Sequence, residues 1–158
     1  MSTLLFHREL LAGVDPRVTA FFDWWALEGP FPLRIADGGG LRTDAAAQAA
    51  LYAAGRSRAR TLAQTAHGRG GGADAYPVRV IGGRRGIYLS TDGAAALERF
   101  QRYGELAEAR GLKWGGRWLR AFPPHGDCPH VEVPGWKMLP YPPAPIARYS
   151  PDGPPGHA

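Results

Sequence analysis

Apolar residues first recur at helical spacing over Val18, Phe21, Phe22 and Trp25, the pattern of a helix with one buried face. Asp15-Pro16 stands just before them, an N-cap followed by proline at the first helical position. Gly29-Pro30 stops the run. Pro32 to Ile35 reads as a short strand, running into the glycine-rich segment Asp37-Gly38-Gly39-Gly40-Leu41-Arg42. A second, alanine-rich helix is predicted from a cap at Thr43 through Ala54, closed by Gly55. Tyr76–Ile81 and Gly86–Leu89 are apolar or alternating around a turn at Gly82-Gly83-Arg84-Arg85, which makes a hairpin. A third helix, from about Ala94 to Arg110, follows Thr91 and Asp92 and carries Leu97, Phe100, Tyr103, Leu106 and Ala107 on one side. Gly111 ends it. His130–Val133 is the last predicted strand. Residues 134–158 hold eight prolines and no apolar periodicity, so the domain is expected over 1–133, with an extended tail that wraps it or is disordered.

Between the second helix and the hairpin lies Thr65-Ala66-His67-Gly68-Arg69-Gly70-Gly71-Gly72-Ala73-Asp74. His67 and Asp74 are seven residues apart, too far to share a helix face, where partners sit three or four apart. The glycines permit a path that curls back on itself. Asp127-Cys128-Pro129-His130 offers a second imidazole with a carboxylate three residues before it. Two imidazoles and one carboxylate form a three-ligand set for a catalytic zinc ion with the fourth position open. The remaining carboxylate is then free to act as a base. The bland alternative for the first segment is a glycine loop with an incidental histidine. His125 is the one alternative ligand, and Cys128 reads as a bystander.

These segments resemble the zinc D-alanyl-D-alanine carboxypeptidase family, which also holds phage endolysins that cut the L-alanyl-D-glutamate bond of peptidoglycan. The resemblance rests on His67, Gly70 and Asp74, then Trp114-Gly115-Gly116-Arg117-Trp118, then Asp127-Cys128-Pro129-His130-Val131-Glu132. Upstream, Gly40-Leu41-Arg42-Thr43 with Gln48 and Leu51 to Arg56 is similar to the family's segment before the metal loop, so the match spans roughly residues 30 to 133 in order. The chain has Gly72 where the family usually has alanine, Thr65 where it has serine, and Leu41 in place of an aromatic. The resemblance implies zinc held by His67, Asp74 and His130, Asp127 as general acid and base, and Arg42 on the oxyanion or a substrate carboxylate. Without it, Arg42 reads as a surface arginine. Gln48, Thr65 and Trp118 are the candidate substrate contacts; Trp118 reads equally as packing, and Trp114 as packing. Asp127 has a plain alternative role, capping the turn at Pro129, and Glu132 is the next carboxylate that can serve as base. Pattern and resemblance together imply an α+β fold, a small antiparallel sheet flanked by about three helices.

The implied activity is an endolysin-type L-alanyl-D-glutamate endopeptidase acting on peptidoglycan stem peptides. The alternatives are a D-alanyl-D-alanine carboxypeptidase or dipeptidase, or a non-catalytic, metal-stabilised module that binds cell wall. Composition changes this little. A length of 158 residues and a hydrophobic fraction of 44% fit one globular domain, expected to be a monomer. The single cysteine excludes an internal disulfide. The net charge of +5 attracts polyanions, but no arginine–aromatic pattern resembles a base-stacking platform, so no nucleic acid is expected. The start, Met1 to Glu9, has neither a basic segment nor a sustained apolar run, and no stretch is long enough to span a membrane. The chain is therefore expected to be made in the cytoplasm and to reach the wall by holin-type or lysis-dependent release.

Overall fold

Asp15 starts helix α1 (Pro16–Glu28) by accepting the Arg17 amide on its side chain, and Gly29 ends it. The structure, a computed structural model, describes residues 4–143. Strand β1 (Leu5–Phe6) precedes α1; β2 (Leu33–Ile35), α2 (Ala45–Ala53), β3 (Gly72–Ile81) and β4 (Arg84–Ile87) follow it. Then come α3 (Ala94–Glu108), β5 (Lys113–Trp114) and β6 (His130–Glu132). The result is an α+β domain with three helices and one sheet in the order β1-β2-β3-β6-β5, with β4 also paired to β3.

The sheet departs from the expected all-antiparallel arrangement at one edge. β1 pairs parallel with β2, because α1 crosses over between them, while all other pairs are antiparallel. Three boundaries also move. Asp44, not Thr43, caps α2 by accepting the Ala47 amide at 2.9 Å. The hairpin turn needs only Gly82 and Gly83, both at positive φ, so Ile81 pairs directly with Arg84. The strand expected to begin at Tyr76 begins at Gly72, so Asp74 belongs to a strand and not to the glycine loop.

One face of the sheet is the core. Ala73, Ala75, Leu33, Ile35, Val131 and Val133 are fully buried there against Val18, Phe21, Phe22 and Trp25 of α1 and Phe100, Tyr103 and Ala107 of α3. Tyr103 joins the helices by packing its ring at tilted and edge-on angles against Phe21, Phe22 and Trp25. Strand residues alternate in direction, so while Ala73, Ala75 and Val131 point into this core, Gly72, Asp74, Tyr76, His130 and Glu132 lie on the opposite face. Burial of the first set thereby selects the register that assembles the second.

Residues 134–143 continue onto the domain. A short 3-10 turn at Trp136–Met138 leads Trp136 and Leu139 to pack against the core, and the Leu139 carbonyl accepts from Arg69. The remainder of the proline-rich segment lies outside the described residues. Among the described residues no helix is long and apolar enough to cross a membrane.

Candidate metal centre

Antiparallel pairing of β3 with β6 sets Asp74 directly opposite His130 and Gly72 opposite Glu132. His67 arrives from outside the sheet, on a 3-10 turn (His67–Arg69) just before β3. Three atoms converge. His130 Nδ1 lies 2.9 Å from Asp74 Oδ1, His67 Nε2 lies 3.2 Å from the same oxygen, and the two nitrogens are 3.2 Å apart. A tetrahedral ion with bonds of about 2.0–2.1 Å needs ligand atoms about 3.3 Å apart. The triangle fits, and His67, Asp74 and His130 together can hold a metal ion.

The outward nitrogen of each ring is also engaged. His67 Nδ1 lies 2.9 Å from the Gly40 carbonyl; a carbonyl only accepts, so the hydrogen sits on Nδ1 and the Nε2 lone pair faces the centre. His130 Nε2 lies 3.1 Å from Glu132 Oε2. Gly40 has a further reason to be glycine, since a Cβ there would stand 1.9 Å from the Leu10 carbonyl oxygen. Gly40→Ala must therefore shift the carbonyl that orients His67. We expect metal affinity to fall about 10–100-fold, the usual cost of disturbing an outer partner of a metal ligand. Chelator competition measures this, and an unchanged dissociation constant would reject the role given to Gly40.

Charge follows from this crowding. Burial opposes ionisation of Asp74, but His67 and His130 outweigh it and hold the carboxyl well below its ordinary range. Burial likewise opposes a charged His130, yet its hydrogen bonds to Asp74 and Glu132 and the surrounding negative charge raise its pKa to about 10. With the pKa above neutrality, the metal-free ring keeps both protons at pH 7, and a cation must displace one. Apparent metal affinity should thus rise by up to about tenfold per pH unit from pH 6 to 8 for this proton. Titration calorimetry in buffers of different ionisation enthalpy tests it, and a heat independent of buffer would mean that no proton leaves.

Asp127 stands beside the trio and outside it. Burial raises its pKa first, then the charge of Asp74, against the attraction of His130, His67 and Arg42. The turn at Pro129, whose capping was the alternative role for Asp127, is closed by the main chain, His130 N donating to Asp127 O at 3.1 Å. Trp114 and Tyr103 hold that turn from beneath. Trp114 Nε1 donates to the Cys128 carbonyl at 2.7 Å and the Tyr103 hydroxyl to the Pro129 carbonyl at 3.1 Å. Gly115 lets the turn approach, because a Cβ there would stand 2.5 Å from the Asp127 carbonyl oxygen and 3.1 Å from His130 Cβ. The motif Trp114-Gly115-Gly116-Arg117-Trp118 is thus a shelf under Asp127 and His130.

Arg42 lies at the rim. Its amide donates to the His67 carbonyl at 3.1 Å, its Nε to Gly38 O at 2.9 Å and its Nη2 to Asp74 Oδ2 at 3.3 Å. Trp118 is half-buried, its ring centroid 5.3 Å from that of His130. A cleft of about 450 Å³ opens beside Asp74, lined by Arg42, Gln48, Arg56 and Tyr76 among others. Gln48 is buried and fastened by Nε2 to Ser57 Oγ and the Ala59 carbonyl. The Thr65 hydroxyl is spent on its own turn, donating to Leu62 O and accepting from Gly68 N. His125 is outside the trio, with its carbonyl 3.1 Å from the Cys128 sulfur. Burial pushes that thiol up to about 11, which suits a packed group more than a ligand.

Sequence reasoning had no means of finding the Gly40 carbonyl, a main-chain atom 27 residues from His67. Tyr76 was accessible in principle, two residues beyond Asp74 on a strand and so on its face, as Glu132 is beyond His130. Arg56, the last residue of the segment before the metal loop, lines the cleft. No protein-family model and no curated protein matches the chain.

Proposed function

We propose that this chain is a zinc-dependent peptidase of bacterial cell walls, and most specifically an L-alanyl-D-glutamate endopeptidase of the endolysin type. The observation that carries the reading is the convergence of His67 Nε2, Asp74 Oδ1 and His130 Nδ1 within 3.2 Å of one another, with a separate carboxylate, Asp127, beside them. Two imidazoles and one carboxylate with an open side are the donor set of hydrolytic zinc. The order of the motifs around it resembles that of the peptidoglycan peptidases.

His67, Asp74 and His130 would hold the ion, which when bound would supply the Lewis acidity that brings the pKa of a water toward neutrality. Asp127 takes the proton of the attacking water. That water's oxygen adds to the peptide carbonyl, and as the C–N bond breaks Asp127 returns the proton to the leaving amine. Burial and the charge of Asp74 raise Asp127, the direction that makes a carboxylate a better proton acceptor. Arg42 already spans from Gly38 to Asp74, and its Nη1 takes no acceptor among the described residues. It is available to the developing oxyanion or to a substrate carboxylate. The cleft along Arg42, Arg56 and Tyr76 receives the stem peptide, and Trp118 walls the far side of His130.

The test is to incubate zinc-loaded protein with purified peptidoglycan and identify the new amino terminus by mass spectrometry. Fragments beginning with glutamate are expected. Release of D-alanine instead would make it a carboxypeptidase or dipeptidase. Wall binding without any new amine would leave a non-catalytic binding module.

A further inference from the structure

Glu132 is among the few charged residues buried in this domain, only 8% exposed. A carboxylate is rarely buried without a partner, because the desolvation it suffers must be offset by hydrogen bonding. Its partner is His130, the residue two before it on the same strand and face, with Oε2 at 3.1 Å from Nε2. The contact lies on the side of the ring away from the metal trio, whose members meet Nδ1. The ring is also confined laterally, since it sits over Gly72, where a Cβ would stand 2.9 Å from Cε1.

A neutral imidazole carries one hydrogen, on either nitrogen, and only the other nitrogen can bind a metal. An ionised carboxylate only accepts, so when a metal displaces one hydrogen from the ring Glu132 keeps the other on Nε2, and the Nδ1 lone pair is the one that faces His67 Nε2 and Asp74 Oδ1. We infer that Glu132 is a positioning residue that fixes the tautomer and orientation of His130 for metal binding through Nδ1. It is therefore no substitute base for Asp127, because its carboxylate is engaged behind the ligand. Gly40 does the same for His67 with a carbonyl, so the two imidazoles are held in opposite senses, one through each ring nitrogen. This inference rests on the metal centre of the proposed function and is independent of which bond is cut.

The experiment combines zinc affinity by chelator competition with histidine ¹⁵N NMR of the zinc-loaded protein, for wild type, Glu132→Gln and Glu132→Ala. In wild type, the His130 spectrum should show metal on Nδ1 and a hydrogen on Nε2. Glu132→Ala should bind zinc about 10–100-fold more weakly, as expected for loss of an outer-shell carboxylate. Glu132→Gln, whose amide oxygen still accepts, should rescue most of that loss and keep the Nε2 hydrogen. Zinc on Nε2 in wild type overturns the inference, as does a folded alanine variant within about threefold of wild-type affinity. If the alanine variant does not fold, the nearly isosteric glutamine variant and the wild-type spectrum decide. A wild type that binds no zinc at all removes the metal centre itself; a wild type that binds zinc beside an unaffected alanine variant removes only the role of Glu132.

Discussion

Asp127→Ala is expected to keep its full complement of metal and lose turnover on purified cell walls by about 10²–10⁴-fold, the usual contribution of a general base. That loss corresponds to about 2.7–5.5 kcal/mol of transition-state stabilisation. The expectation follows from position. Asp127 is outside the converging trio, and its turn is closed by main-chain bonds and held by Trp114 and Tyr103. Truncating its side chain therefore leaves the backbone that carries His130 in place. The defect should fall on kcat, with wall binding retained. Metal analysis on the same preparation makes the outcome decisive. If the variant loses its metal, Asp127 and Asp74 have exchanged roles; if turnover survives within a few-fold, Asp127 is not the base.

His67→Ala is expected to lose metal and turnover together. The ring supplies one of three ligand atoms and cannot be replaced from nearby, since His125 and Cys128 do not join the trio. The fall in affinity should exceed the about 10–100-fold that an outer partner costs. Stability should report it too. A ligand present at 100 times its dissociation constant stabilises the native state by about 2.7 kcal/mol, so chelation should lower the melting temperature of wild type and leave that of His67→Ala unmoved. Elemental analysis and paired thermal melts, with and without chelator, check both halves. A metal-free preparation with full activity would falsify the metal reading altogether.

The helices were largely legible in the chain because their determinants are local. Asp15-Pro16 and Gly29 bracket α1 as expected, and its buried positions are the four apolar residues of the periodic run. The cap of α2 moved by one residue because Thr43 and Asp44 are both competent caps and only the Asp44 side chain reaches the Ala47 amide. The strand at Gly72–Ala75 was hidden for a similar reason. Glycine and alanine are poor strand formers, and that segment is extended because β2 and β6 pair on either side of it.

The candidate site divides along the same line. The chain alone supplied two imidazoles, His67 and His130, and two carboxylates, Asp74 and Asp127, the second three positions before His130. These are properties of side-chain type and spacing; which carboxylate joins the ligands was implied by the resemblance, and the fold brings Asp74 to the two rings. The chain also placed Glu132 on the face of His130, through the two-residue period of a strand. Only the tertiary structure decided which nitrogen of each imidazole faces the centre. That depends on a carbonyl at Gly40 and on a buried carboxylate at Glu132, brought to the rings by a loop and by the β3–β6 register. Likewise only the fold revealed that Thr65 bonds its own turn, and that the tryptophan–glycine motif is a shelf under Asp127 and His130. Spacing along a chain limits which groups can meet, but the direction in which a ring presents its lone pair is set by partners distant in sequence.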